Sequence, residues 1–464
     1  MCAITAAYDL EKAWNLANSQ SNRGRDGFGF GARHKDGIDI VKIAGKITKF
    51  RFEDLINIFS DIRNIGEYTE IIGHNRYATS GSKAQLLEGS HPHSVGGKVI
   101  VSNSSCIVIK NCDAAIVHNG NVTPEYLHGL KTKCDTEALL HLYLQFGEKE
   151  LLRNIPGSYA LAIIDKKRPD MIVMRDRYGI KPCMLNIENG KTYIVSEESD
   201  PLQDLSPGAI YYLHSDGTFT VNQIVPSSSR HCFFEYNYLA RLESVLDGVS
   251  VRKLREALGE RLAQEYPPNK NDIITFIPRC PEVAARSYTA YSISQGINVE
   301  FAELLSKNDS ERSFLGPTEE ERKASITNNL HLTSDAPEII TGRDILAVED
   351  SFVRGNNGPI AGNMLLRAGA RSVTFISYTP PIGIIGEDGI QRGCMFGVDM
   401  PPTDNFIAVD RVRKVNRTSP EISDIIGFNV KYLSMGGTLE VFEKYGLSQT
   451  SLCTYCIGGK HPFS

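Results

Sequence analysis

The chain lacks an excess of either charge: its 464 residues carry 50 Lys and Arg against 55 Asp and Glu, a formal net charge of -5. That balance provides no basic field for nucleic acid and no polybasic anchor for a membrane, which leaves small molecules as the expected partners. It also lacks any apolar run near the roughly 20 residues that a membrane helix requires. Its first residues do not have the charged-then-apolar layout of a secretory signal, so the expectation is a cytoplasmic protein. No internal repeat is visible, which excludes a solenoid.

What is plentiful is apolar content, 41% of the chain, enough for a large core. The length exceeds what one domain normally organises, and two domains are expected. Ten cysteines in a reducing compartment should be buried thiols, nucleophiles or metal ligands before they are disulfides. Cys106, Cys112, Cys134 and Cys183 stand singly and read as core fillers.

Cys2 is different. Removal of Met1 would leave it carrying both a thiol and a free α-amine. An α-amine has a pKa of about 8, so at neutral pH a useful fraction can take the thiol's proton without a distant histidine. A cysteine at this position is by itself commonly an accident, and the reading depends on what accompanies it.

The two halves are written in different grammars. Residues 2–230 run as short strand-like stretches (38–43, 71–73, 98–102, 114–118, 159–165, 171–174, 192–196) with few helical patterns (9–18, 52–59, 136–146), which predicts stacked α+β layers. From about residue 250 a helix over 251–265 precedes apolar strands at 273–277, 345–348 and 373–377, with a helix over 360–368 between the last two. That is βαβ, hence a parallel sheet with ligands expected at the carboxyl ends of its strands. Residues 306–335 are polar and read as a mobile surface loop.

Four segments accompany Cys2: Arg23-Gly24-Arg25-Asp26-Gly27, Gly73-His74-Asn75-Arg76-Tyr77-Ala78-Thr79, Val117-His118-Asn119-Gly120-Asn121 and Cys134-Asp135-Thr136-Glu137. Together with Arg175 to Pro182 and Ser196-Glu197-Glu198, they resemble the glutaminase domain of class II glutamine amidotransferases. The resemblance implies an N-terminal-nucleophile hydrolase fold, stacked αββα, over 2–230. It implies that Asn119, through its side-chain amide, and Gly120, through its N–H, receive the oxyanion formed when Cys2 attacks a glutamine amide. Arg76 can hold the substrate carboxylate with a bidentate fork, and Asp135 its ammonium. Blander readings remain open residue by residue: Arg76 a surface ion pair, Asp135 a helix cap, Asn119-Gly120 a hairpin turn.

In the second half, 345–357 is an apolar strand that ends in Glu349 and Asp350, then a loop, Ser351 to Gly355, that opens a helix. A generic strand-to-helix turn with capping acids has the same look. The segment resembles the phosphoribosyl pyrophosphate loop of type I phosphoribosyltransferases, in which the acids hold ribose hydroxyls or Mg2+ and the loop amides cradle a 5′-phosphate. That implies Glu349, Asp350, Ser351, Arg354 and Gly355 as substrate contacts, with Asp350 toward Mg2+, in an α/β domain over 231–464. Phe234 to Arg241, Ala368-Gly369-Ala370 and Cys394 to Pro401 resemble further segments of the amidophosphoribosyltransferases. This resemblance implies ammonia from glutamine displacing pyrophosphate to give phosphoribosylamine, the first step of purine synthesis. A homotetramer inhibited by purine nucleotides is also implied.

The second half departs from that pattern in several places. Glu349-Asp350 stands for two aspartates, Asn356-Asn357 for a threonine pair, and Pro278-Arg279-Cys280-Pro281 for a segment with a Ser or Thr metal contact. Arg312-Ser313-Phe314 and Arg322 fit, but Thr327-Asn328-Asn329-Leu330 lacks the basic residues expected to meet a diphosphate. The alternatives are a glutaminase that aminates another phosphorylated acceptor, or a non-catalytic protein that binds glutamine or nucleotide.

Cys453-Thr454-Tyr455-Cys456 is a CxxC, and with Cys232 and Cys394 it offers four thiolates, a set that suits zinc or a 4Fe-4S cluster. All four fall where the iron-sulfur branch of the family has a ligand, which implies a structural 4Fe-4S cluster that ties the C-terminal tail to both domains.

Overall fold

Period-two alternation explains the first half. In the computed structural model, which describes residues 2–77, 86–122, 132, 134–308, 329–396, 398, 400–403 and 405–463, the segment Gly27–His34 is a strand. Its Phe28, Phe30 and Ala32 are buried against helices, while its glycines face the other way. A Cβ at Gly29 would lie 2.3 Å from the His91 carbonyl oxygen, so only glycine permits that approach.

The strands are β1 Ala3–Ala7, β2 Gly27–His34, β3 Gly37–Ala44, β4 Glu70–Arg76, β5 His93–Ser102, β6 Cys106–Val122, β7 Gly157–Asp165, β8 Met171–Arg175, β9 Met184–Glu188, β10 Lys191–Val195, β11 Gln203–Asp204, β12 Ala209–Leu213 and β13 Phe219–Gln223. They pair in the order β11-β9-β10-β1-β4-β2-β3-β6-β7-β8-β12-β13, with β5 also on β6, and their pairings are antiparallel. Strands β1 and β4 also touch β6 and β7, which are not their neighbours, so the sheet folds on itself as two layers. Ile4, Ile40, Ile72, Val117, Ala162 and Ile194 fill the space between them. Helices α1 Leu10–Ser19 and α2 Phe52–Ile62 cover one outer face through Trp14, Leu55 and Phe59. Helix α3 Asp135–Asn154 covers the other through Leu139, Leu140 and Tyr143. The result is the expected αββα stack.

In the second half, strands Glu300–Phe301, Ile273–Phe276, Asp344–Glu349, Ser372–Ser377 and Asn429–Tyr432 form, in that order, a parallel sheet. Its faces separate by residue parity. Ile274, Phe276, Leu346 and Val348 join the same buried cluster as Trp14 and Phe28, whereas Ile273, Ile345, Ala347 and Phe375 pack on Leu365 and Ile422. One apolar core therefore runs through both halves by way of Phe233, Phe234 and Tyr236.

The reading of 306–335 as a loop is corrected at its flanks, because Leu305–Lys307 and Leu330–Leu332 pair antiparallel. Arg312, Ser313, Phe314, Arg322, Thr327 and Asn328 lie outside the described residues, as do Met1, Ala78 and Thr79. Among the described residues no helix is long and apolar enough to cross a membrane.

Candidate active sites

Cys2 precedes β1, which lies between β4 and β10. Its half-buried sulfur is 3.9 Å from the Tyr77 carbonyl oxygen, and its own carbonyl accepts from Arg23 Nε at 3.1 Å. Arg23 is wholly buried between Glu197 and Glu235, at 3.3 and 2.8 Å. Burial opposes the guanidinium's charge, but Glu235 and Glu197 outweigh it and hold the group protonated. Ser196 Oγ accepts from the Ile4 N–H at 2.9 Å. Thus Arg23, Ser196 and Glu197, scattered in sequence, all act on the strand that carries the nucleophile candidate.

Asn119 and Gly120 are not a hairpin turn: both lie inside β6, opposite Ala160 and Tyr159 of β7. Asn119 Nδ2 is buried with no partner, a donor held ready. A Cβ on Gly120 would lie 1.9 Å from the Ser158 carbonyl oxygen, which excludes any side chain there. Arg76 ends β4 and donates to the Leu86 carbonyl and to Ser90 Oγ; among the described residues no carboxylate pairs with it. Asp135 is also not a helix cap, the alternative that its position left open. Cys134 is the cap residue, and Asp135 Oδ2 instead accepts from the Val122 N–H at the end of β6, at 3.0 Å.

A set of buried histidines, not anticipated from sequence, ties these residues together. His118 Nδ1 meets Thr136 Oγ1 at 3.1 Å, Thr136 Oγ1 meets His91 Nε2 at 2.9 Å, and His74 Nε2 meets the His118 carbonyl at 3.1 Å. The network thus reaches the neighbours of Asn119 and Asp135. Cys134 sits beside it, 3.6 Å from His91, so it is more than a core filler. Although His118 lies 3.7 Å from Asp135, burial pushes its pKa down to about 4, so the contact is not an ion pair near neutrality.

A pH dependence follows. The unfolded chain binds a proton at this histidine near pH 6.5 and the folded chain only near 4, so stability is lost as pH falls through that window. The stability difference between wild type and His118→Asn, measured by urea unfolding, should shrink by about 3 kcal/mol from pH 7 to pH 4.

The second site is a cavity of about 950 Å³ between the halves. Ser21, Asn22 and Arg25 from the α1–β2 connection line it together with Arg279, Cys280, Lys307, Glu349, Asp350 and Asn357. Burial and the adjacent Asp350 push Glu349 well above the usual carboxylate range, and burial raises Asp350 to about 6. Glu349 Oε2 is buried without a partner, an oxygen that suits a hydroxyl or a cation. Ser351, Arg354 and Gly355 follow in the loop before the helix Asn357–Arg367 but are not among the lining residues. Gly355 has φ 75°, and a Cβ there would meet Ile407 Cδ1 at 2.4 Å.

The four cysteines proposed as ligands are buried and unbridged. Cys232 and Cys453 are register partners in a short parallel pair, His231–Cys232 with Leu452–Cys453. Burial, then mutual repulsion with the neighbouring cysteine sulfurs, pushes the Cys232 and Cys456 thiols well up. Burial also raises Cys453, to about 12. Among the described residues no three of these four sulfurs lie within 4.8 Å of one another.

The comparisons agree with this two-site layout. The family described as a glutamine amidotransferase domain matches residues 107–233. An amidophosphoribosyltransferase of Methanocaldococcus jannaschii is 28% identical, with 100% of this chain and 98% of that protein covered. The enzyme of the same name from Bacillus subtilis is 27% identical over 99% and 94%. The solved structure of glutamine phosphoribosylpyrophosphate amidotransferase from B. subtilis, complexed with ADP and GMP, superposes with a TM-score of 0.77 at 24% identity and covers 100% of this chain and 97% of that one. From end to end the chain is similar to amidophosphoribosyltransferases, in keeping with a glutaminase-type stack and an acidic strand end facing it across one cavity.

Proposed function

We propose that this protein transfers nitrogen from glutamine to phosphoribosyl pyrophosphate and so makes 5-phosphoribosylamine, the first step of de novo purine biosynthesis. The observation that carries the reading is the shared cavity, in which Ser21, Asn22 and Arg25, on either side of the Arg23 anchor, line one wall and Glu349 and Asp350 another. A glutaminase domain over 2–230 and a phosphoribosyltransferase domain over 231–464 would each supply half of the chemistry.

In the first half-reaction the Cys2 α-amine takes the thiol proton and the thiolate attacks the side-chain amide. Asn119 Nδ2 and the Gly120 N–H receive the oxyanion, and its collapse releases ammonia and leaves a thioester that water hydrolyses to glutamate. Arg76 and Asp135 orient the substrate from its far end. In the second, ammonia attacks C1 of the ribose and diphosphate leaves. Glu349 and Asp350 hold the ribose hydroxyls, and the Ser351–Gly355 loop with Arg354 takes the 5′-phosphate. The Glu349–Asp350 strand end fits Mg2+, with Asp350 its ligand; when bound, the ion would neutralise charge on the leaving diphosphate.

Cys232, Cys394, Cys453 and Cys456 fit a 4Fe-4S cluster: four buried, unbridged cysteines whose sulfurs lie near enough to repel one another as thiolates. Such a cluster would hold the tail, and Asn121 Nδ2 donates to the Met395 carbonyl at 3.0 Å, so the cysteine segment also leans on β6. The similar enzyme complexed with ADP and GMP supports purine nucleotides as ligands, and so as regulators, of this chain; a cytoplasmic homotetramer completes the reading.

The test is anaerobic purification, iron and sulfide analysis, and measurement of diphosphate release with glutamine and then with ammonia. The expected result is about four irons per chain, as the proposed cluster formula requires, and diphosphate release with either nitrogen source. A second reading, amination of another phosphorylated acceptor, is favoured by Arg279 and Cys280 at the strand end. Glutamine hydrolysis with no diphosphate release would select it.

A further inference from the structure

The nucleophile's strand is held in part from outside its own half. Arg23, which reaches the Cys2 carbonyl through Nε at 3.1 Å, turns its other edge to Glu235 of the second half, with Nη1 to Oε2 at 3.1 Å and Nη2 to Oε1 at 2.8 Å. That bidentate pair fixes the plane of the guanidinium as well as its place. Glu197 meets the same group at 3.3 Å but is shared: it also takes Asn22 Nδ2 at 2.6 Å, the Arg241 N–H at 3.2 Å and Arg241 Nε at 3.3 Å. Among the described residues Arg23 is the one cation paired with Glu235. Glu235 is therefore the carboxylate that decides how the Arg23 fork lies.

Glu235 stands on a rigid support. It opens a single π-helical turn, Glu235–Leu239, and the Ala240 N–H donates to its carbonyl at 2.9 Å. The Glu235 N–H donates to the Cys232 sulfur. Arg255, 3% exposed, donates from Nε to the Tyr236 carbonyl at 2.7 Å and from Nη2 to the Ala240 carbonyl at 2.9 Å. The Tyr236 hydroxyl donates to Asp247 Oδ2 at 3.2 Å. Turns of this kind are frequent at functional sites, and the groups that pin this one all belong to the second half.

Through Arg23 the turn acts on residue 2. Holding the Cys2 carbonyl fixes the peptide plane between Cys2 and Ala3, and so the Cα from which thiol and α-amine both project. A guanidinium does not shed its proton. With the Glu235 charge removed, Arg23 would lean toward the carboxylate that Arg241 also takes, and Nε would leave the Cys2 carbonyl.

We infer that Glu235, carried by the second half, is a positioning residue of the glutaminase site, and that through Arg23 it sets where the Cys2 thiol and α-amine stand. The inference rests on the reading that Cys2 hydrolyses glutamine. It makes that site composite, since residues 2–230 alone would leave Arg23 without its bidentate partner. Because Arg76 and Asp135 hold the substrate from its far end, the effect belongs in kcat rather than in KM.

The experiment uses the full chain, purified anaerobically, and compares wild type, Glu235→Gln and Glu235→Asp, with thermal melts to confirm folding. Two readouts are taken: glutamate formed from glutamine, and the rate at which iodoacetamide alkylates Cys2, followed by peptide mass spectrometry. Glu235→Gln should lower kcat about 10- to 100-fold, the scale of a small misplacement of reacting atoms, with the KM for glutamine within about threefold. Alkylation should slow in step, because the α-amine is no longer placed to take the thiol proton. Glu235→Asp keeps the charge but draws it back, and should fall between. A folded Glu235→Gln protein with kcat and alkylation rate within about twofold of wild type overturns the inference. Where Glu235→Gln does not fold, the same result with Glu235→Asp overturns it. Slower Cys2 alkylation in the variants of a chain whose wild type hydrolyses no glutamine sustains Glu235 and overturns the hydrolysis instead.

Discussion

Cys2→Ala is expected to lower glutamine-dependent diphosphate release by about 10⁴-fold or more, the scale seen when a covalent nucleophile is removed. Transfer from free ammonia should survive, because the Glu349–Asp350 strand end lies in the other half of the chain. The effect is large because among the described residues the thiol nearest the Asn119 region other than Cys2 is a poor substitute. The Cys134 thiol, beside His91, is pushed by burial up to about 11 and stays protonated near neutrality, so it is a poor nucleophile. Asn119 and Gly120 would remain, and the residual rate reports what they contribute alone. Equal loss with both nitrogen donors would mean that the variant is misfolded or that Cys2 is not the glutaminase nucleophile. Mass spectrometry of the active enzyme provides a second check, since retention of Met1 blocks the α-amine.

Arg23→Met should destabilise the fold by about 3–5 kcal/mol, the cost of leaving buried carboxylates without their cation. Glu197 and Glu235 are both buried, and they come from opposite halves of the chain. Adding Glu235→Gln to Arg23→Met should recover part of the loss in urea unfolding. No recovery would show that the guanidinium acts by packing rather than charge. Because Arg23 Nε also holds the Cys2 carbonyl, the single variant should weaken glutamine turnover even where it is folded.

Several elements were legible in the sequence because local chemistry and tertiary environment agree. Helix α1 starts where Asp9 accepts from the Lys12 N–H at 2.7 Å, and the helix Val251–Glu265 starts where Ser250 caps Lys253. The strand Asp344–Glu349 is apolar on both sides because helices cover both faces, and its reading as a buried parallel strand needed nothing else. Strand β6 was legible only over 114–118. Its 17 residues include Lys-Asn-Cys-Asp, which looks like a turn, and Asn111 at φ 58° is a bulge in the middle of a strand that passes from β3 to β7. The helix read over 136–146 stops where Gly147, at φ 80°, leaves helical geometry, and what the sequence did not show is the second helical stretch that follows it to Asn154.

By itself the sequence determined the chemistry available: a thiol at residue 2, Asn119 and Gly120, paired acids after an apolar strand, and four cysteines that could serve one metal site. It could do so because each is a residue type at a short local spacing. Only the tertiary structure decided which of these meet. Arg23 bridges Glu197 and Glu235 across more than 170 residues, and Arg25 reaches a cavity otherwise built near residues 280 and 350. Charge pairing and burial at that separation depend on how two sheets pack around one core, and no local pattern encodes that packing.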